Sequence, residues 1–177
     1  LQTEPSERAA TFQRIAYLQR DQLGDSTAAI ASLEAAIAEG RFSKVPLIAL
    51  TALHEDSNNA ERALECIDAL LAMEEDPSER AQFAMRGASL CRDRLLAPRR
   101  AVHYLDESLD ADSSVSIAFD HLLEVLGELQ DWEGQAAAYV RMIARLEGSP
   151  EHADDLCALH RDLAKLHQLR RLDPQAA

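Results

Sequence analysis

Apolar residues recur along this chain at corresponding positions of a repeat. We call each set of corresponding positions a column. In one column Ala29, Ala63, Ala101 and Gln135 follow each other along the numbering at steps of 34, 38 and 34. The same steps connect three more columns: Ile30, Leu64, Val102 and Ala136; Leu33, Ile67, Leu105 and Tyr139; Ile37, Leu71, Leu109 and Ile143. Within each copy the columns fall at i, i+1, i+4 and i+8, which is one face of an α-helix.

A longer repeat spans two copies of this pattern. The pentapeptide Pro-Ser-Glu-Arg-Ala at 5–9 returns at 77–81, and a related Ser-Pro-Glu-His-Ala follows at 149–153. Ahead of each column helix lies another amphipathic stretch, as at Phe12, Ile15 and Ala16. The chain is therefore predicted to be built from helix pairs of about 34 residues, because internal periods of this size are typical of repeat proteins.

Capping residues mark the ends of these helices. Asp76, Asp131 and the pair Gly24-Asp25 are predicted N-cap positions, with Pro77 and Glu79 completing a capping box. Ser149 with Pro150 is expected to start the last helix, and Asn58-Asn59 to separate the third from the fourth. The predicted helices are 6–22, 26–39, 43–55, 59–73, 77–95, 98–110, 114–129, 132–146 and 150–171, with no strand.

These helix pairs resemble tetratricopeptide repeats, whose sparse pattern is W-x2-L-G-x2-Y…A-x3-F…P. The matching residues are Phe12, Ile15, Ala16, Gly24-Asp25, Ala29, Leu33 and Ala36; Leu47, Leu50, Ala63 and Ile67; Ala101 and Leu105; Phe119, Leu122, Asp131 and Tyr139; and Leu163-Ala164 with Asp173-Pro174. The chain departs from the pattern in its step of 38, in Gln135 at a usually small position, in the weak match at Gly87-Ala88, and in about one extra residue between the helices of the first and third repeats.

The resemblance implies an all-α, right-handed superhelical stack of antiparallel helix pairs, a TPR-like α-solenoid of about nine helices. We expect one domain over 1–177, with repeats at about 5–40, 43–76, 77–112 and 113–148 and a partial repeat at 149–177. Because the first residue is Leu1 and the sequence stops as a new helix is expected to begin, we interpret it as a fragment of a longer protein.

Charge narrows the class of partner. The chain has 18 Lys and Arg against 31 Asp and Glu, a net charge of −13. Phosphate-rich nucleic acids and anionic membranes are therefore disfavoured partners, and no apolar run approaches the length of a membrane span.

The three cysteines Cys66, Cys91 and Cys157 form no C-x-x-C motif, so each is expected to be a small buried apolar side chain in a reducing compartment.

The sequence contains no signature that would indicate catalysis. The tetrad at 160–163 spells His-Arg-Asp-Leu, as in protein kinases, but it lies mid-helix and lacks every accompanying kinase motif. His160 and His167 are seven residues apart, and His121 and Glu124 are three apart, whereas helical zinc-binding pairs usually sit at i, i+4. We predict no enzyme activity, no cofactor and no metal.

The best candidate site is the surface lined by the first helices of the repeats. In tetratricopeptide repeats that concave surface usually holds an extended peptide or a helix. Positions one residue from the core columns give the candidates Gln13, Tyr17, Arg20, Met85, Ser89, Arg92, Asp120, Glu124, Arg161 and Lys165. Arg20 and Arg92 are equivalent in the long repeat and, with Arg161 and Lys165, are hypothesised to bind carboxylates.

The favoured function is a protein–protein interaction scaffold within a larger protein that we expect to be cytoplasmic. The Ala, Leu and Arg content suggests a bacterial source. One alternative is self-association through the terminal helix at 150–171. Another is a sensory domain that regulates an attached effector.

Overall fold

The chain folds into α-helices joined by short turns. The structure, a computed structural model, describes residues 4–39, 44–114, 116–148 and 150–172. In this part of the chain the regular elements are α1 (Pro5–Asp21), α2 (Ser26–Glu39), α3 (Lys44–Asp56), α4 (Ala60–Met73), α5 (Pro77–Asp93), α6 (Pro98–Ala111), α7 (Ser116–Glu128), α8 (Trp132–Leu146), a 3-10 turn (Pro150–His152) and α9 (Ala153–Leu172). The all-helical prediction is confirmed. The largest displacement of a helix start is that of the last helix, from 150 to Ala153, because Pro150–His152 forms the 3-10 turn instead of α-helix. The other predicted bounds lie within two residues of the observed ones.

The helices group into two compact units, Leu1–Glu75 and Asp76–Ala177. The first unit holds α1 to α4, with α1 packed against α2, α2 against α3, and α3 against α4. The second unit repeats this order with α5 to α8 and adds α9, which packs against α8. The boundary between the units falls at the second copy of the pentapeptide, so the long sequence repeat is also a structural repeat.

In each helix pair, one residue of the turn between the two helices has a left-handed backbone conformation. Gly24, Asn58, Leu96 and Gln130 have φ angles of 65°, 55°, 50° and 55°. Their spacing reproduces the steps of the apolar columns. Gly and Asn adopt this conformation readily, whereas Leu and Gln adopt it at an energetic cost, so the turn geometry is a property of the repeat and not of its local sequence.

The turns come in two lengths. In the first and third turns, Asp25 N donates to Gln19 O (2.9 Å) and Ala97 N donates to Cys91 O (2.8 Å), each spanning six residues. In the second turn Asn59 N donates to His54 O (2.7 Å), and in the fourth Asp131 N donates to Leu126 O (2.9 Å). Each of these bonds spans five residues, as in a Schellman motif. The predicted extra residue in the first and third repeats is therefore confirmed, and it lies in the turn.

Aspartate side chains cap three helices as predicted. Asp25 accepts from Ala28 N at 2.9 Å, Asp76 from Glu79 N at 2.9 Å, and Asp131 from Gly134 N at 2.8 Å. Each bond satisfies a backbone donor that the helix itself leaves unpaired. Ser149, the other predicted cap, lies outside the described residues.

Small residues let the helices of a pair approach closely. Ala29, Ala63 and Ala101 are fully buried, as their column predicts. Gln135 breaks this column because its Nε2 donates to the carbonyl of Leu123 in α7 at 2.9 Å. A Cβ atom at Gly127 would lie 3.1 Å from that Nε2. The absence of a side chain at Gly127 therefore makes room for the longer residue.

The two units differ in which helix has the larger residue at one pair of equivalent positions. Gly87 of α5 lies under the ring of Tyr104, and an added Cβ would come within 2.9 Å of it. At the equivalent positions of the long repeat the first unit has Ile15 and Ser32, so a large residue replaces the small one and a small residue the large one. The Tyr104 ring leaves no room for a larger side chain at position 87, which explains the weak repeat match there. Ile15 has no such cover, since it is 38% exposed.

The cysteines occupy three different environments. Cys91 is fully buried, Cys66 is half-buried and Cys157 is exposed. The prediction that all three are buried is therefore wrong for Cys157. The reason is that α9 has no buried residue in its described part, since it lies at the end of the second unit.

Ion pairs between second helices fix the two helix pairs of the second unit to each other. Arg141 of α8 contacts Asp106 of α6 at 2.7 Å, and Arg145 contacts both Asp106 and Asp110. Arg145 is largely buried, so its charge is held by these carboxylates. This network links α8 to α6, the second helices of the two pairs.

Among the described helices, none combines the length and the apolar character that crossing a membrane requires.

Replacing Leu96 by Gly is expected to raise the free energy of unfolding by about 1 kcal/mol, because glycine adopts a positive φ without the steric cost that leucine bears. Leu96 is 80% exposed, so little packing is lost. Gly24→Leu makes the reverse exchange at the equivalent turn, where a Cβ has open space. Gly24→Leu should lower the free energy of unfolding by a similar amount. Urea denaturation followed by circular dichroism measures both variants. Equal effects of the same sign in both variants would contradict this account.

Candidate interaction surface

A side-chain cluster in the second unit joins two first helices. Arg92 Nη1 of α5 contacts the Glu124 carboxylate of α7 at 3.1 Å. Between these helices lies a small depression with a volume of about 10 Å³, room for a water-sized group. We call it the α5–α7 depression; its lining is Ala88, Ser89, Arg92, Ala101, Leu105, His121 and Val125. Its floor is apolar and its edges are polar.

Arg92 is already engaged by carboxylates of its own chain. Its Nε donates to Asp93 at 3.0 Å, and its Nη1 is held by Glu124. The hydrogen bond to Asp93, with further attraction from Glu124 and Glu128, raises the pKa of Arg92. The guanidinium is therefore permanently charged, but the surrounding carboxylates outnumber it. An incoming carboxylate at Arg92 would therefore have to compete with Asp93 and Glu124.

Acidic residues form a row along α7. Asp120, Glu124 and Glu128 are exposed and follow each other at intervals of four residues, so they lie on one face of the helix. Asp120 also lies near Tyr139 of α8, as does Asp162 of α9. Burial, with a smaller contribution from these two carboxylates, raises the pKa of Tyr139. The row therefore extends from the α5–α7 depression toward α9.

The first unit has a related arrangement on α1. The guanidinium of Arg20 lies 5.2 Å from the centre of the Tyr17 ring and contacts Asp21 at 2.6 Å. The hydrogen bond from Arg20 lowers the pKa of Asp21, and Asp56 of α3 adds to the negative field at Arg20. Gln13 lies one turn before Tyr17 and is half-buried. Arg20 and Arg92 thus share a position and a following aspartate, whereas the residue equivalent to Glu124 in the first unit is Ala52.

The remaining sequence candidates lie on α5 and α9. Met85 is half-buried one turn before Ser89. Arg161 is exposed, and Lys165 contacts Asp162 of its own helix at 2.7 Å. The structure therefore brings together Ser89 and Arg92 of α5 with Glu124 of α7, and it places Tyr17 and Arg20 in contact within α1.

Sequence reasoning missed three contributors to this surface, namely Asp93, His121 and Glu128. Glu128 could have been predicted from the sequence, because it continues the four-residue spacing of Asp120 and Glu124. His121 and Asp93 depend on which faces of α5 and α7 meet. In the described residues, no group of three or more His, Cys, Asp or Glu side chains is placed to hold a metal ion.

Solved structures show which fold this arrangement belongs to. No protein-family model matches the sequence, and no curated protein is similar to it. A crystal structure of MamA superposes with a TM-score of 0.57 at 14% identity, covering 94% of this chain and 96% of that one. MamA 41-end from Desulfovibrio magneticus RS-1 gives 0.55 at 14% identity, covering 94% and 97%. PilF of Pseudomonas aeruginosa gives 0.51 at 18% identity, covering 97% and 79%. These are helical-repeat proteins of the tetratricopeptide type.

The chain has the tetratricopeptide-repeat fold. At identities below a fifth, the likeness establishes the fold alone, and the binding chemistry must be argued from the residues of this chain. In this tetratricopeptide-repeat chain the first-helix face of the second unit carries the α5–α7 depression and the acidic row. The floor of the depression includes the column residues Ala101 and Leu105, whereas the acidic row lies outside the apolar columns.

One buried polar side chain in the first unit has no counterpart in the second. His54 of α3 is 6% exposed, and its Nδ1 has no hydrogen-bond partner. Burial is the main cause that lowers its pKa, while Glu34 of α2 and Glu65 of α4 oppose the shift and Arg62 of α4 adds to it. The equivalent residue of the second unit is Leu126, which is buried in the same way.

His54 is therefore expected to make the first unit sensitive to acid. Since its pKa is lower in the folded than in the unfolded chain, the unfolded chain takes up the proton first, and stability falls as the pH drops through the ordinary histidine pKa of about 6.5. His54→Leu should raise stability at neutral pH by about 1 kcal/mol, because it removes an unsatisfied buried nitrogen. It should also flatten the pH dependence between neutrality and the onset of carboxylate titration.

Urea denaturation at several pH values measures both effects. Leu126→His provides the matched control, because it should introduce the same acid sensitivity into the second unit. A wild-type pH dependence that survives in His54→Leu would show that another group is responsible.

Proposed function

We propose that this chain is a protein-interaction module that binds a peptide or protein segment on its first-helix surface, centred in the second unit on the α5–α7 depression. The observation that carries the proposal is the convergence of Ser89, Arg92, His121 and Glu124 from two helices onto one exposed surface with an apolar floor. Stacked helical repeats present extended surfaces of this kind to their ligands.

The size of the depression favours a macromolecular ligand over a metabolite. Its volume of about 10 Å³ is far below the roughly 300–1,000 Å³ of a small-molecule site. A peptide needs no deep cavity, because it gains affinity from contacts spread along its length. The polar rim supplies hydrogen-bonding and charged groups, while Leu105 and Val125 give apolar contact beneath it.

Panning a random peptide library against the whole chain tests this function. Ser89→Phe is expected to weaken the selected peptides at least tenfold, because a bulky ring at its edge covers the α5–α7 depression without changing the net charge. Ala144→Phe is the matched control, since it adds the same ring at an exposed position of the second helix α8. Equal losses in both variants, or no selected peptide at all, would contradict the proposal.

A second function, self-association through α9, rests on a separate observation. This helix packs against α8 and has no buried residue in its described part, and Leu169 is 66% exposed. A terminal repeat helix normally needs either a polar outer face or a partner. The exposed Cys157 lies on the uncovered side of α9, and a small side chain there permits close approach of another helix.

Light scattering over a wide concentration range tests self-association. Cys157→Arg should shift any dimer toward monomer, because a long charged side chain blocks close helix packing. Ala10→Arg makes the comparable change on the exposed side of α1 and should leave the mass unchanged. A mass that stays monomeric at every concentration in the wild type would remove this second function.

A further inference from the structure

The charges around the α5–α7 depression indicate the chemistry of the segment that it binds. This inference rests on the proposed function and adds the partner's charge to it. The relevant side chains are the acidic row of α7, namely Asp120, Glu124 and Glu128, together with Asp93 of α5. The whole chain has a net charge of −13, so this surface shares the sign of the molecule.

The acidic row is only partly neutralised from within the chain. Arg92 contacts Glu124 and Asp93. In the described part of the chain, neither Asp120 nor Glu128 forms a salt bridge of its own. Like charges four residues apart on a helix destabilise it. The row therefore carries an electrostatic cost in the free protein that a cationic ligand would relieve.

The geometry of the row matches an extended basic segment. Residues four apart on a helix are separated by about 6 Å along its axis. In an extended peptide, alternate side chains point the same way and are about 6.6 Å apart. A segment with Lys or Arg at every second position can therefore place successive cations opposite Asp120, Glu124 and Glu128.

The depression beside the row suits the rest of such a segment. Its apolar floor includes Ala88, Leu105 and Val125, which are almost fully buried. It accepts a group no larger than a methyl or a water molecule, so small residues between the cations fit it better than bulky ones. Ser89 and His121 at its edge can exchange hydrogen bonds with an extended backbone.

We propose that the first-helix surface of the second unit binds a lysine- or arginine-rich extended segment of a protein partner, with small residues between the basic ones. An acidic segment is the alternative ligand for this surface, since Arg92 attracts carboxylates. It is disfavoured because Arg92 is shared by Asp93 and Glu124, and because the charges that flank this group are negative.

Fluorescence anisotropy with two labelled peptides tests the proposal. One alternates Lys with Ala, and the other alternates Glu with Ala at the same length. The Lys peptide is expected to bind the whole chain and the Glu peptide to show no binding. Affinity for the Lys peptide should fall as salt is raised above about 0.15 M, where charges more than about 8 Å apart are screened.

A neutralised variant locates the binding. Asp120→Asn, Glu124→Gln and Glu128→Gln together should weaken the Lys peptide at least tenfold, because three opposite-charge contacts are lost while side-chain shape is kept. Its melting temperature should not fall, since repulsion along α7 is removed. The control Glu7→Gln, Glu133→Gln and Glu147→Gln makes the same change in net charge at positions elsewhere on the surface and should change affinity less than threefold.

Three results would overturn the proposal: no binding of the Lys peptide, tighter binding of the Glu peptide, or an equal loss in the control variant, which would indicate attraction to net charge alone. The library experiment keeps this failure separate from failure of the proposed function. If selected peptides are neutral or acidic and are still weakened by Ser89→Phe, the interaction function stands and the basic partner is wrong.

Discussion

Close packing of two antiparallel helices over small side chains is the contact on which the rest of this structure depends. Ala29, Ala63 and Ala101 are fully buried at the same position of successive repeats, and a larger side chain there would push the two helices apart. One such pair cannot bury its own apolar face, so each pair needs a neighbour. The stacking of pairs within each unit follows from this need, and so do the exposed first-helix surfaces.

The two units show how this packing tolerates changes in sequence. Ile15 with Ser32 and Gly87 with Tyr104 fill equivalent positions with opposite distributions of volume. Gly127 leaves the space that Gln135 occupies in the last full pair. The turns also keep a left-handed residue even where it is Leu96 or Gln130. The helix pairing and the left-handed turn residue are thus kept, while turn length and residue identity vary between repeats.

Exposed polar residues vary more between the units than the apolar columns do. Arg20 and Arg92 keep their positions and each contacts the aspartate that follows it, but the residue equivalent to Glu124 in the first unit is Ala52. The acidic row and the α5–α7 depression involve residues of the second unit, and the buried His54 belongs to the first. The stacking of helix pairs provides a common scaffold, and the chemistry that distinguishes one unit from the other is carried by side chains that the apolar columns leave free.

The sequence by itself determined the helical elements, their ends and the repeat. Columns at helical spacing, capping residues such as Asp76 and Asp131, and the regular steps between copies are local or periodic signals that survive without knowledge of contacts. The exchange between Gly87 and Tyr104, the exposure of Cys157 and the pairing of Arg92 with Glu124 were decided by the tertiary structure alone. Each depends on which helix faces meet, and a one-dimensional pattern specifies that a face is apolar without specifying which residue lies opposite.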